Sequence, residues 1–238
     1  MQKPLILLLA ITCIFFTACK DEIEETNIEL GLEYFPLEVG KWMIYEADSV
    51  VYNGFTQTVD TAEFFIREFV ESSFIDDEGR PAVRIERSYK YDENDSWVLK
   101  DVWYAVRDSQ YAERVEENVR FLKLVFPILE NRTWEGNTYI NTSDSELSYF
   151  ADWEYQITST NGVYQYGNLN IADAIDVQQN DFETFIEKSY AKETYAKNVG
   201  LVFKELWQLE TQDLGNPETW PSRAEEGFTY RQRLIEHN

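Results

Sequence analysis

One histidine stands in the 238-residue chain, His237, next to last. Triads, zinc sites and most acid–base pairs lean on histidine, and one so near a terminus reads as a solvated tail residue. The two cysteines, Cys13 and Cys19, both fall in the first twenty residues. The sequence therefore argues against Cys–His and Ser–His–Asp catalysis and against histidine-dependent zinc hydrolysis. No phosphate-cradling glycine loop or dinucleotide fingerprint is present. Paired carboxylates are the remaining route to chemistry, because glycoside hydrolysis needs only Asp and Glu at a set separation. Trp97, Trp103, Trp153 and Trp207 could supply the ring platforms of such a cleft. Yet among 44 acidic residues some approach one another in any fold, and core packing accounts for the tryptophans equally simply. Asp92-Glu93-Asn94-Asp95 and Asp76-Asp77-Glu78 offer oxygens to calcium, but neither fits the spaced loop that cation needs. Turn formation explains both. The sequence thus nominates no catalytic residue, no metal ligand and no cofactor beyond a covalent lipid.

That lipid belongs to the N-terminus. Lys3 precedes an uncharged run, Leu5–Phe16, which is short of the ~20 residues a spanning helix needs and matches the apolar region of a secretory signal. Phe16-Thr17-Ala18-Cys19 then resembles a bacterial lipobox, with Phe16 in place of the usual Leu. The resemblance implies cleavage after Ala18 and diacylglycerol and acyl groups on Cys19. Cys13 would leave with the signal and Cys19 would be alkylated, so the mature fold is expected to rest on its core without a disulfide. Lys20, Asp21 and Glu22 resemble the export signal of Bacteroidota surface lipoproteins, which implies display on the outer face of the outer membrane. The periplasmic face is the alternative. Residues 20–33 are acidic and read as an extended, self-repelling tether with a reach of about 45 Å.

The elements that must position any site follow from length and patterning. Without residues 1–18 the chain is long enough for one large domain with a sizeable core. A net charge of −23 repels nucleic acid and anionic headgroups, so a neutral or cationic ligand or a protein partner is the better expectation. Strand periodicity dominates from Trp42 onward. Val83, Ile85, Tyr89 and Tyr91 alternate with polar residues, as do Trp153, Tyr155 and Ile157. Leu169, Ile171, Ile175 and Val177 share one parity, and Leu201, Phe203, Trp207 and Leu209 another. Phe228, Tyr230 and Leu234 repeat the pattern near the end. Asn53-Gly54 and Asn161-Gly162 are two-residue hairpin signals. Asp76–Gly79 and Asp92–Asp95 read as longer hairpin loops. Asp108–Glu116 fits helix or strand, 119–126 reads as strand, and Asp181–Lys192 is again ambiguous.

Phe35-Pro36-Leu37 precedes Trp42, and Phe126-Pro127-Ile128 precedes Trp134 in the same way. Each proline marks a strand end or an edge, and the pair is either a relic of duplication or a coincidence. The segments Tyr34–Trp42 and Tyr195–Val202, a Tyr-Phe-Pro-Leu…Gly…Trp stretch and a Val-Gly-Leu-Val stretch, resemble uncharacterised Bacteroidota surface lipoproteins. That resemblance covers about a quarter of the chain and implies a β-rich secreted domain, without an activity. A looser likeness is to the curved half-barrels of lipoprotein carriers, at the level of fold alone.

The expected organisation is a signal peptide (1–18), an acidic tether (19–33) and a β-rich domain (34–238). That domain is a single antiparallel sheet, closed into a barrel or a strongly curved half-barrel, with few short helices. The expected function is a non-catalytic, lipid-anchored envelope lipoprotein that binds a ligand or partner and meets the membrane and the lipoprotein export machinery. A structural accessory subunit and a carbohydrate-active enzyme are the alternatives.

Overall fold

The computed structural model describes residues 29–238. Cys19 and the Lys20-Asp21-Glu22 signal lie outside them. Alternating apolar and polar residues give twelve strands: β1 (Trp42–Asn53), β2 (Thr58–Ile75), β3 (Pro81–Lys90), β4 (Val98–Arg107), β5 (Tyr111–Glu116), β6 (Val119–Val125), β7 (Thr133–Trp134), β8 (Tyr155–Tyr166), β9 (Leu169–Glu183), β10 (Glu187–Ala196), β11 (Gly200–Glu210) and β12 (Glu226–His237). They form one antiparallel sheet in the order β6-β5-β4-β3-β2-β1-β12-β11-β10-β9-β8-β7. About 60% of the described residues are strand and 3% helical, in the mainly β class expected from the sequence.

The sheet is two six-stranded meanders, β1–β6 and β7–β12, joined where β1 pairs with β12. Its free edges meet on the far side and nearly close a barrel. Leu122 on β6 donates its N–H to the Gly136 carbonyl at 2.8 Å, and the Trp134 indole donates to the Leu122 carbonyl at 2.9 Å. Gly136 is required at this seam, because a Cβ there would run into the Tyr155 ring. The two Phe-Pro segments stand immediately before β1 and β7, the first strands of the two meanders.

Several local expectations are corrected. Asn161-Gly162 is not a turn but lies inside β8, where the register against β9 shifts on both sides of Gly162. A side chain there would come within 3.1 Å of the Ala174 carbonyl oxygen, so the glycine serves close backbone approach. The hairpin at Asn53-Gly54 has a longer loop, residues 54–57, and the Asn53 side chain accepts from the N–H groups of Phe55 and Thr56. The ambiguous stretch 108–116 is a turn followed by strand from Tyr111: β5 and β6 form a hairpin on Glu117 and Asn118, both at positive φ (50° and 65°). Residues 181–192 end β9 and begin β10. The last part of the expected tether is docked, since Leu30 and Leu32 pack on the core and Lys197 pairs with Glu29 and Glu33 at 2.6 and 2.9 Å.

Strand direction separates two barrel ends. One carries the loops β2–β3, β4–β5, β6–β7, β8–β9 and β10–β11, and residues 30–37 fill it. Leu30, Leu32, Tyr34, Phe35 and Leu37 join the core there, and Arg107 donates to the carbonyls of Leu32 and Phe35 at 2.8 Å each. The other end carries the loops after β1, β3, β5, β7, β9 and β11. A barrel widens with strand number, and eight strands already leave an interior that side chains can just fill. Twelve leave more room, which long charged side chains and a cavity occupy.

Candidate functional site

The apolar parity that builds the barrel wall also carries charges inward. Glu68 on β2 stands between Ile66 and Val70, and Arg87 on β3 between Ile85 and Tyr89. Arg114 and Glu116 come from β5, Lys123 from β6, Glu193 from β10 and Lys204 from β11. Two clusters result. In the first, Glu68 takes Arg87 on one oxygen at 3.1 Å and Arg114 on the other at 2.9 Å. The Arg87 guanidinium lies 3.7 Å from the centroid of the Trp103 ring and donates to the Tyr89 hydroxyl at 2.6 Å. Asp101 stands 3.8 Å from it.

The second cluster spans the interior. Lys123 bridges Glu116 at 2.9 Å and Glu193 at 3.0 Å, and Lys204 reaches the same two carboxylates at 3.2 and 3.6 Å. The Tyr195 hydroxyl donates to Glu193 at 2.5 Å. Burial pushes the Glu116 carboxyl up, but Lys123, Lys204 and Arg114 outweigh it and hold the group well below the usual carboxylate range. Glu193 is lowered for the same reason, burial being overcome by Lys123 and Lys204. Burial lowers Lys204, yet Glu116 and Glu193 leave it raised. Glu116, Glu193 and Lys204 are therefore charged at neutral pH, which such buried ions tolerate only when paired.

Above the clusters, towards the second barrel end, lies a cavity of two adjoining lobes, 370 and 360 Å³. Trp103, Glu116, Glu117, Lys204 and Leu206 line both. One lobe adds Tyr149, Phe150 and Trp153, the other Tyr89, Phe228 and Tyr230. The β7–β8 loop covers part of the opening. It is pinned by Asn137, which donates to the Phe150 carbonyl and accepts from the Tyr155 hydroxyl, each at 2.9 Å, while Phe150 meets Phe121 and Trp153 edge-on at 5.2 Å. Each lobe falls within the ~300–1,000 Å³ of small-molecule sites.

A larger groove of 460 Å³ on the loops after β1 and β11 is a weaker site. The Glu225 carboxylate there is engaged by Thr211 and the Gln212 N–H, which shapes the turn. Of the four tryptophans considered as platforms, the structure brings Trp103 and Trp153 together in the cavity. Trp207 faces outward against Tyr190, and Trp97 lies in the β3–β4 loop beneath the Lys90 ammonium. Asp76 and Asp92 accept from backbone N–H groups of their own loops. No metal-binding group of His, Cys, Asp or Glu occurs among the described residues. His237 ends β12, opposite Met43. Sequence reasoning missed the interior charges. Arg87 shares the parity of Val83, Ile85 and Tyr89, and that coincidence was the available signal. Comparison with protein-family models, curated proteins and solved structures returns no match.

Proposed function

We propose that the chain is an envelope lipoprotein, anchored through Cys19, whose barrel binds a small ligand or a partner's side chains at its open end without catalysis. The observation that carries this reading is the two-lobed cavity with aromatic walls over a floor of paired charges. Binding is favoured over hydrolysis because Glu68, Glu116 and Glu193 are each held by cations, which keep the Glu116 and Glu193 carboxyls from serving as proton donors. The chain enters the described fold at the filled end, where Ile128 donates to the Leu30 carbonyl at 3.0 Å. An anchor at Cys19 would therefore face that end to the membrane and turn the open end away from it. Surface display through Lys20, Asp21 and Glu22 remains part of the proposal.

The accessory-subunit reading draws support from exposed apolar tips on the open-end loops. Phe55 is 98% exposed, Phe185 82% and Leu214 71%. Such residues suit a protein partner. Protease shaving of intact cells tests the arrangement. Wild type should lose its domain and Cys19→Ala should leave the membrane fraction. Protection of wild type equal to that of a Lys20, Asp21, Glu22→Ala triple variant would place the domain inside the outer membrane.

A further inference from the structure

Three side chains that line the cavity each hold a buried N–H donor with no acceptor among the described residues: Arg114 Nε and Gln232 Nε2 in one lobe, and Gln179 Nε2 in the other. Their residues are 7%, 2% and 4% exposed. A buried donor without an acceptor is costly, and native folds seldom keep three around one cavity without a use. Their neighbours are otherwise satisfied. Gln232 accepts from the Tyr230 hydroxyl at 2.6 Å on its oxygen, and Arg114 gives Nη2 to Glu68. What is left over is therefore donor capacity, distributed over both lobes.

Charge in the lining is balanced. The lining holds four cations, Arg87, Arg114, Lys123 and Lys204, and four carboxylates, the buried Glu68 and Glu116 and the rim residues Glu117 and Glu146. The buried Glu68 and Glu116 are matched by these cations, while the rim carboxylates are exposed to solvent, so the interior offers a charged ligand no free counter-ion. The aromatic faces of Trp103, Tyr230 and Trp153 supply flat apolar area beside the donors. We infer that the cavity takes a neutral, ring-shaped molecule bearing several acceptor oxygens, of which sugars are the plainest class, with its oxygens on Arg114, Gln179 and Gln232. A single carboxylate head on an alkyl chain could answer the donors of one lobe but not of both.

This inference rests on the ligand-binding reading above, and the test separates the two. Native mass spectrometry and calorimetry of the full chain would use neutral mono- to trisaccharides, the matching uronic acids and amino sugars, and a fatty acid with its alcohol. Neutral sugars should bind best. Gln179→Leu should weaken them at least tenfold while the melting temperature holds or rises, because it removes an unanswered buried donor. A packing role for Gln179 would instead lower the melting temperature. Preference for charged or alkyl probes, or neutral-sugar binding untouched by Gln179→Leu, would overturn the inference and leave the ligand-binding reading in place. Silence on every probe would overturn both.

Discussion

The two ends of the barrel solve the same problem, a wide interior, with different residues. At the filled end Leu30, Leu32, Tyr34, Phe35 and Leu37 pack inward, and the polar groups that come with them are answered, as by Arg107 on two carbonyls. Towards the open end the space is crossed by Lys123, Lys204, Glu116 and Glu193, and beyond them it stays empty enough for two lobes. Apolar filling is the cheaper way to close a barrel, since well-packed hydrophobic residues often match or exceed a buried ion network in stability. The difference therefore points to use rather than to stability at the open end.

Breaking the ion network or the packing of the filled end should have the largest effects. Lys123→Met leaves Glu116 and Glu193 to Lys204 alone and should cost about 3 kcal/mol in a denaturant melt, the low end for breaking a buried pair. A loss below ~1 kcal/mol would mean that the carboxylates are reached by water. Phe35→Ala at the filled end should cost about 3 kcal/mol, the lower range for a buried phenylalanine, because residues 30–37 can partly collapse into the gap. It should leave binding at the open end unchanged, and weakened binding would show that the two ends are not independent.

The smallest effect, within mild pH, concerns the same carboxylates. Their folded values lie below the ordinary 4.5, so their stabilisation is whole above the unfolded value and drains away only as pH falls through the depressed folded value. Melting temperature should be level from pH 7 to about 5 and decline below about 4.5, near the ordinary glutamate value. A steep fall between about pH 6.5 and 5.5, well above that value, would contradict this.

The class of fold was legible because period-2 patterning is a property of the chain itself. Tyr155 with Ile157 and Phe228 with Tyr230 fall in strands as the alternation predicts. The β5–β6 hairpin was not, because Tyr111, Val115, Val119 and Leu122 also fit a helical spacing and Glu117-Asn118 is an uncommon turn pair. Asn161-Gly162 misled for a tertiary reason, the close approach of the Ala174 carbonyl. Two residues of the cavity's aromatic wall, Trp103 and Trp153, were in view. Its charges were not, since a lysine such as Lys204 reads as solvent-facing until Glu116 and Glu193 are seen opposite it. Trp207 was placed in the apolar parity of β11, but the inward positions there are Lys204 and Leu206.

The central claim is that the open end of the barrel is a ligand cavity, and Leu206→Trp tests it most directly because Leu206 lines both lobes. Native mass spectrometry of wild type and variant would be run against one glycan and lipid panel, with melting curves alongside. The account predicts a folded variant that loses every small-molecule adduct the wild type acquires. Adducts retained by Leu206→Trp, or none on wild type, would contradict it.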